Sequence, residues 1–76
     1  MNHYLLMAIL LHGRQVHIGD DEWGKLISID PSWGIEVEVA GEFAGGTTTK
    51  IYTQDDVCVE NRGYLYSVRE LRELMK

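Results

Sequence analysis

Polar and apolar residues alternate along much of the chain, and this period of two predicts β-strands. The clearest case is GIEVEVAGEF, in which Ile35, Val37 and Val39 point one way and two glutamates point the other. The segments RQVHIGD and WGKLISID give two more strands, joined by a charged DDE loop and followed by a DPSWG turn. Short strands separated by turn signals at this spacing predict a small, strongly bent antiparallel sheet or a small barrel.

The two ends of the chain depart from this alternation and favour helices. Residues 3–12, HYLLMAILLH, are rich in Leu and Met, and Gly13 suits a helix C-terminal cap. Because the segment is apolar nearly all round, we expect it to be buried, in this domain or in a dimer interface. A buried strand is the alternative, since periodicity cannot separate the two over so short a run.

The C-terminal segment SVRELRELMK carries a helix start signal. Ser67 and Glu70 have the spacing of a capping box, and Leu71, Leu74 and Met75 form a short apolar stripe. The predicted fold is therefore α+β and mostly β, with residues 1–76 in a single domain and a short helix at each end.

The stretch GEFAGGTTTK resembles a phosphate-binding loop at first sight. Gly41 and Gly46 have the required spacing, but Thr47 stands where the lysine is needed, and the β-branched residues that follow predict a strand instead of a helix. We therefore predict a hairpin. Further along, VCVE and YLY predict a second hairpin around Asn61-Arg62-Gly63.

The expected turn of the first hairpin sets its register. A three-residue turn over Ala44-Gly45-Gly46, with Gly46 left-handed, places Val39 opposite Ile51 and Glu38 opposite Tyr52. In this register the isoleucine lies on the apolar face and the tyrosine lies on the glutamate face.

Length, charge and cysteine content limit the function classes. The 76 residues carry a formal net charge of −5, which makes the chain a poor default binder of nucleic acid and a plausible partner for a basic protein. A single cysteine excludes an internal disulfide and fits a reducing, cytoplasmic setting. The apolar run from Tyr4 to Leu11 is too short to span a bilayer and lacks the features of a signal peptide.

Residues 13–30, GRQVHIGDDEWGKLISID, resemble the start of a KOW or SH3-like small barrel. The matching pattern is a glycine before a V-x-I strand, a polar loop with glycine, and Gly-Lys opening a second aliphatic strand. The residues at these positions are Gly13, Val16, Ile18, Gly19, Gly24, Lys25, Leu26 and Ile29. The resemblance implies a barrel and, in many KOW domains, binding to RNA or to proteins of transcription and translation. Acidic residues stand where an RNA-binding loop would favour basic ones.

We find no pattern that indicates catalysis, a metal or a cofactor. His3, His12 and His17 lack the spacing of zinc ligands, and Cys58 lies between two valines, where cysteine usually behaves as a small hydrophobe. The carboxylates indicate a solvated acidic face more than an active site. The chain is therefore predicted not to be an enzyme.

The aromatic residues near loops suggest a protein-binding surface. We expect Trp23 in the core, whereas Trp33 in the turn fits a core position and a surface anchor equally well. The predicted binding surface is acidic and edged by aromatic residues. It comprises Asp20, Asp21, Glu22, Trp33, Glu36, Glu38 and Tyr52.

The predicted function is therefore a small non-enzymatic module that docks on a protein with a basic patch. One alternative is a small acidic inhibitor of the phage antirestriction or anti-CRISPR type, which occupies the basic nucleic-acid-binding surface of an enzyme. Another is a KOW-like RNA-binding or regulatory module that uses Lys25, Lys50 and Arg62. The apolar N-terminal segment is compatible with a homodimer but does not require one.

Overall fold

The computed structural model describes residues 3–19, 22–41 and 45–75. It contains one antiparallel sheet, with a helix before the strands and another after them. The elements are α1 His3–Leu11, β1 Gln15–Ile18, β2 Glu22–Ile29, β3 Ile35–Ala40, β4 Thr47–Tyr52, β5 Val57–Asn61, β6 Tyr64–Ser67 and α2 Val68–Leu74. The strand order is β4-β3-β2-β1-β5-β6. The predicted fold class, α+β and mostly β, is confirmed.

A short connection between β4 and β5 requires the sheet to bend. Three strands separate β4 from β5 in the sheet, so a flat sheet would place them about 19 Å apart. The chain from Tyr52 to Val57 can span at most about 17 Å when fully extended. It is not extended, because Asp56 N donates to Thr53 O at 3.1 Å in a turn. The sheet must therefore curve so that β4 approaches the start of β5.

One face of the bent sheet holds the core, and we call it the inner face. Burial alternates along β3, where Ile35, Val37 and Val39 are buried and the two glutamates between them are half-buried. The same alternation in β1 and β5 brings further aliphatic residues to this face. The buried core consists of Met7, Leu11, Val16, Ile18, Leu26, Ile29, Ile35, Val37, Val39, Val57, Val59 and Val68. We call the opposite side of the sheet the outer face.

The predicted helix over residues 3–12 is confirmed, but this domain buries only part of it. Met7 and Leu11 join the core, whereas Ile9 is 72% exposed and Leu10 is 64% exposed. The helix therefore packs on the inner face along one side. Within residues 3–19, 22–41 and 45–75, no helix is both long and apolar enough to cross a membrane.

The capping box of the C-terminal helix is also confirmed. Ser67 Oγ accepts a hydrogen bond from Glu70 N at 3.1 Å, and Glu70 Oε1 accepts one from Ser67 N at 3.4 Å. Val68, the first residue of α2, is fully buried in the core. Leu71 and Met75 pack against the core, whereas Leu74 is exposed.

The β3–β4 hairpin is confirmed, but its predicted register is wrong by three residues. Val39 pairs with Thr48 and not with Ile51. The pairing extends to Gly41, whose N–H donates to Gly46 O at 2.9 Å, so the connection is one residue longer than expected. The left-handed residue is Gly45, with φ +80°, and not Gly46. The predicted turn residue Ala44 lies outside the described residues.

An odd shift in register exchanges the two faces of a strand. Ile51 lies opposite Glu36 and is 69% exposed on the outer face, whereas Tyr52 lies opposite Ile35 on the inner face. Tyr52 packs against the core. The observed register therefore favours burial of the large aromatic ring over burial of the smaller isoleucine.

The second predicted hairpin joins β5 and β6. Asn61 pairs with Tyr64, and the two residues between them, Arg62 and Gly63, have φ values of 53° and 85°. Two successive left-handed residues are typical of a type I′ turn, which matches the twist of the strands it joins.

Candidate functional site: the outer face of the sheet

The predicted binding residues do not lie on one surface. Glu36 and Glu38 alternate with the buried residues of β3, and both are half-buried on the outer face. Tyr52 lies on the inner face because it pairs with Ile35. The hairpin register separates the tyrosine from the glutamates with which it was expected to act.

The acidic loop contributes little to the described surface. Glu22 is exposed at the start of β2, opposite Ile18, so by alternation it belongs to the inner side of the sheet end. Asp20 and Asp21 lie outside the described residues.

Trp33 is held over one end of the sheet. Its backbone is left-handed, with φ 66°, and its half-buried ring packs against the core. The Arg72 guanidinium of α2 lies 4.4 Å from the ring centroid, a cation–π contact. A left-handed conformation is unusual for so bulky a residue, so the packing of the ring on the core and under Arg72 must offset the backbone strain.

Asp30 stabilises the turn that carries Trp33. Its Oδ1 accepts hydrogen bonds from Ser32 N at 2.9 Å, Ser32 Oγ at 2.6 Å and Gly34 N at 2.9 Å. The bond from the Ser32 hydroxyl and then the bond from the Gly34 N–H lower the pKa of the Asp30 carboxyl below its usual range.

A groove of about 440 Å³ runs beside Trp33 and Tyr52. Its far wall is formed by Asp55 and Arg69, whose guanidinium binds both carboxylate oxygens of the aspartate. The hydrogen bond from Arg69 lowers the pKa of Asp55. The two charged groups of this wall bind each other. This ion pair connects α2 to the β4–β5 connection, so we assign the groove a structural role.

The outer face carries the strand side chains that point away from the core. Strand pairing across all six strands determines which residues share this face. They are Gln15, His17, Trp23, Lys25, Ser28, Glu36, Glu38, Ala40, Thr47, Thr49, Ile51, Cys58, Glu60, Leu65 and Ser67. Several large apolar groups therefore reach solvent beside the half-buried glutamates.

Trp23 and His17 form the centre of this face. They are directly opposite in β2 and β1, with ring centroids 3.7 Å apart and planes tilted by 49°. The prediction that Trp23 lies in the core is wrong, since it is 43% exposed. Its neighbour Gly24 takes the inward position, so alternation directs the indole outward.

His17 has one further unusual property. Its Nδ1 is buried and has no hydrogen-bond partner among the described residues. The ring lies between Trp23 on one side and Cys58 on the other, because both pair with it directly. The ring position is therefore set by packing with its neighbours.

Charge on the outer face is predominantly negative. Among the described residues of this face, the carboxylates are those of Glu36, Glu38 and Glu60, and the one lysine is Lys25, which is the cross-strand partner of Glu38. A shallow groove of about 500 Å³ extends from Trp23 past Lys25 and Glu38 to the β3–β4 connection. Trp23 and Glu38 thus line the same groove.

Cys58 is poorly suited to act as a nucleophile. Burial raises the pKa of its thiol, and the negative charges of Glu70 and Asp56 raise it further. A thiol reacts as the thiolate, so this environment keeps Cys58 in its less reactive form.

No group of three or more His, Cys, Asp or Glu side chains that could hold a metal ion occurs in the described part of the chain. Compared with protein-family models, curated proteins and solved structures, the chain matches none. The resemblance to KOW and SH3-like barrels stays a prediction.

The pairing of His17 with Trp23 and the exposure of Ile51 were not predicted from the sequence. Alternation from Val16 and Ile18 already places His17 outward, and alternation from Gly24 and Leu26 does the same for Trp23. Their contact also depends on the strand register, which the DDE loop alone does not specify.

Proposed function

We propose that this chain is a non-enzymatic binding module that docks on another protein through the outer face of its sheet. The observation that carries the proposal is an exposed Trp23, packed on His17, on the same face of the sheet as the half-buried Glu36 and Glu38. Tryptophan is enriched among the residues that dominate binding energy at protein interfaces. Half-buried carboxylates lose little further mobility on docking, which lowers the entropic cost of using them.

The charge of this face supports a partner with a basic patch. Three carboxylates against one lysine give the face the same sign as the whole chain, whose net charge is −5. Complementary charge speeds association and favours basic partners over acidic ones. The basic nucleic-acid-binding surface of an enzyme has this chemistry, so the inhibitor hypothesis is a special case of the same docking mode.

The RNA-binding alternative has less support from the placement of its cations. Lys25 lies on the outer face next to Glu38, whereas Lys50 pairs with Val37 on the inner side of β4. Arg62 lies in the β5–β6 turn. Phosphate binding requires several cations along one surface, and these three do not share one.

A pull-down from lysate, divided into nuclease-treated and untreated halves, is the first test. We expect a basic protein to remain bound after nuclease treatment. Loss of all captured material with nuclease would contradict protein binding and would favour the RNA-binding alternative.

Variants of the outer face then test the docking surface with the captured partner. We expect Trp23→Ala to weaken binding by about 30-fold, the effect of an interface hot spot, and Glu36→Gln/Glu38→Gln to weaken it by about tenfold at low salt. The matched control is Arg72→Gln, which changes a charged residue of the inner side and should leave the affinity unchanged. Circular dichroism checks that each variant folds. Wild-type affinity in both outer-face variants would remove this face from the binding site.

A further inference from the structure

The outward edge of β4 is an unused row of backbone hydrogen-bonding groups. Gly41 donates to Gly46, which fixes which residues of β4 bond to β3. Hydrogen-bonded pairs recur at every second residue of an antiparallel strand. The backbone groups that point toward β3 are therefore those of Thr48, Lys50 and Tyr52. The N–H and C=O groups of Thr47, Thr49 and Ile51 point away, and within the described residues no hydrogen bond reaches them.

This edge carries a single charged residue, Lys50, as its protection against pairing with another strand. Natural sheets protect their edges with proline, bulges, very short strands or charges that project from the strand. β4 has six residues, contains no proline and pairs with β3 in an unbroken register. Its side chains from Thr47 to Ile51 are exposed, and its one charged residue is Lys50.

The other edge of the sheet is better protected. β6 has only four residues, and its pairing with β5 continues the alternation so that Leu65 and Ser67 point outward. The Ser67 N–H is already bonded to Glu70 in the capping box of α2. Leu65 is left as the only described residue of this strand with both outward groups available, which is too short an edge to hold another strand.

We propose that β4 pairs with β4 of a second copy of this chain, antiparallel and about a two-fold axis through Thr49. In this register Thr49 lies opposite Thr49 of the second copy, and Thr47 lies opposite Ile51 of the second copy. All outward-pointing residues then meet as hydrogen-bonded pairs, giving roughly six backbone hydrogen bonds across the interface. The sheets of the two copies join into one, with both outer faces on the same side.

Lys50 selects this register over its neighbours. Here Lys50 lies opposite Thr48 of the second copy. A shift of two residues in one direction would place the two Lys50 side chains directly opposite each other, which is unfavourable for like charges. The opposite shift shortens the overlap toward the glycine-containing connection. No acidic residue occurs in β4, so the net charge of the chain is not concentrated at this contact.

Proline at position 49 tests the pairing without breaking the fold. Proline removes an N–H, and the Thr49 N–H is not used by β3, so Thr49→Pro should be tolerated at this edge. In sedimentation velocity experiments on the purified chain, we expect the wild type to reach twice its monomer mass of 8.7 kDa. Thr49→Pro should remain a monomer at the same concentration, with an unchanged circular dichroism spectrum.

Two control variants distinguish β4 from other interfaces. Leu65→Pro places the same residue on the edge of β6 and should leave the dimer intact. Ile9→Asn removes an exposed apolar residue of α1 and should also leave it intact. A wild type that stays monomeric would overturn the proposal, and so would a dimer that survives Thr49→Pro but is lost in Ile9→Asn.

Disulfide trapping tests the register itself. In a Cys58→Ser background, Thr49→Cys should form a covalent dimer with diamide as the oxidant, because Cα atoms of a hydrogen-bonded pair lie about 5.5 Å apart and within reach of a disulfide. Thr47→Cys should not, since its two copies would lie about 13 Å apart along the strands. The reverse pattern would contradict the two-fold axis at Thr49. These experiments use no partner protein, so their outcome is independent of the proposed docking function.

Discussion

Among the described glycines, Gly24 leaves the least room for a Cβ atom, and it lies on the inner face of the sheet. A Cβ atom there would overlap Val37 Cγ1 and lie 2.7 Å from Ile18 Cδ1 and 2.9 Å from the Glu38 backbone oxygen. The aliphatic side chains could shift, but the backbone of β3 could not do so without weakening its pairing with β2. We therefore expect Gly24→Ala to lower the free energy of unfolding by about 1–3 kcal/mol, as overpacking does.

Urea denaturation of the wild type and of Gly24→Ala checks this prediction. The midpoint should fall while the slope stays the same, because the surface exposed on unfolding does not change. An unchanged midpoint would show that β2 and β3 can separate at this position at no cost.

At the scale of single residues, the sequence predicted burial well only where alternation was unbroken. Ile35, Val37 and Val39 are buried as expected. Trp23 was predicted to lie in the core, yet the inward position next to it is occupied by a glycine with no room for a side chain. The preference of the tryptophan for burial is overridden by the packing of Gly24, which local pattern alone does not reveal.

At the scale of elements, the capping box of α2 joins a strand to a helix with no loop between them. Ser67 ends β6 and caps α2, and its hydroxyl satisfies the Glu70 N–H. Ser67→Ala removes this acceptor, so we expect a loss of about 1 kcal/mol in the free energy of unfolding.

Thermal or urea denaturation measures the effect of this substitution, with Ser28→Ala as the matched control. Ser28 is an exposed serine of β2 with no side-chain hydrogen bond among the described residues. Its replacement should change stability by less than about 0.5 kcal/mol. Equal effects of the two substitutions would mean that the cap does not stabilise α2.

The same scale shows why element types were predicted more reliably than their pairing. The two helices, the β3–β4 hairpin and the β5–β6 hairpin follow from local composition and turn residues. The register of β3 against β4 depends on whether Ile51 or Tyr52 faces the core, and both residues are apolar enough to do so. Contact between Tyr52 and core residues that are distant in sequence determines the register. The local pattern therefore could not show that Tyr52 and the glutamates of β3 lie on opposite faces of the sheet.

At the scale of the whole molecule, two exposed carboxylates link stability to pH. Hydrogen bonds from Ser32 and Gly34 lower the pKa of Asp30, and Arg69 lowers that of Asp55. In the unfolded chain both groups return to about 4, so the unfolded state binds more protons in acid. The stability they contribute is present above about pH 4 and is lost as the pH falls through the lowered values.

Denaturation midpoints measured from pH 6 down to pH 2.5 test this linkage. We expect the midpoint of the wild type to fall toward acid, and the midpoint of Asp30→Asn/Asp55→Asn to fall less steeply, because neither amide titrates. Parallel curves for the two proteins would show that other groups account for the acid sensitivity.

A bent sheet was predicted from the sequence, but the cause of the bend follows only from the strand order in the structure. Strand lengths and turns suggested a small curved sheet, whereas the pairing of β1 with β5 and the short connection from Tyr52 to Val57 establish how the curvature arises. No sequence signal specified that β5 would return to β1, since neither strand carries a distinctive partner motif.

That return of β5 to β1 also bears on how the chain folds. The first four strands form a meander in which each pairs with its sequence neighbour, and β5 and β6 form a separate hairpin. His17 and Cys58, which join the two parts, lie about 40 positions apart, so closing the chain between them costs roughly 3 kcal/mol of entropy. We expect the hairpins to form early and the β1–β5 contact to limit the folding rate. The pairing of His17 with Cys58 should therefore form in the transition state for folding.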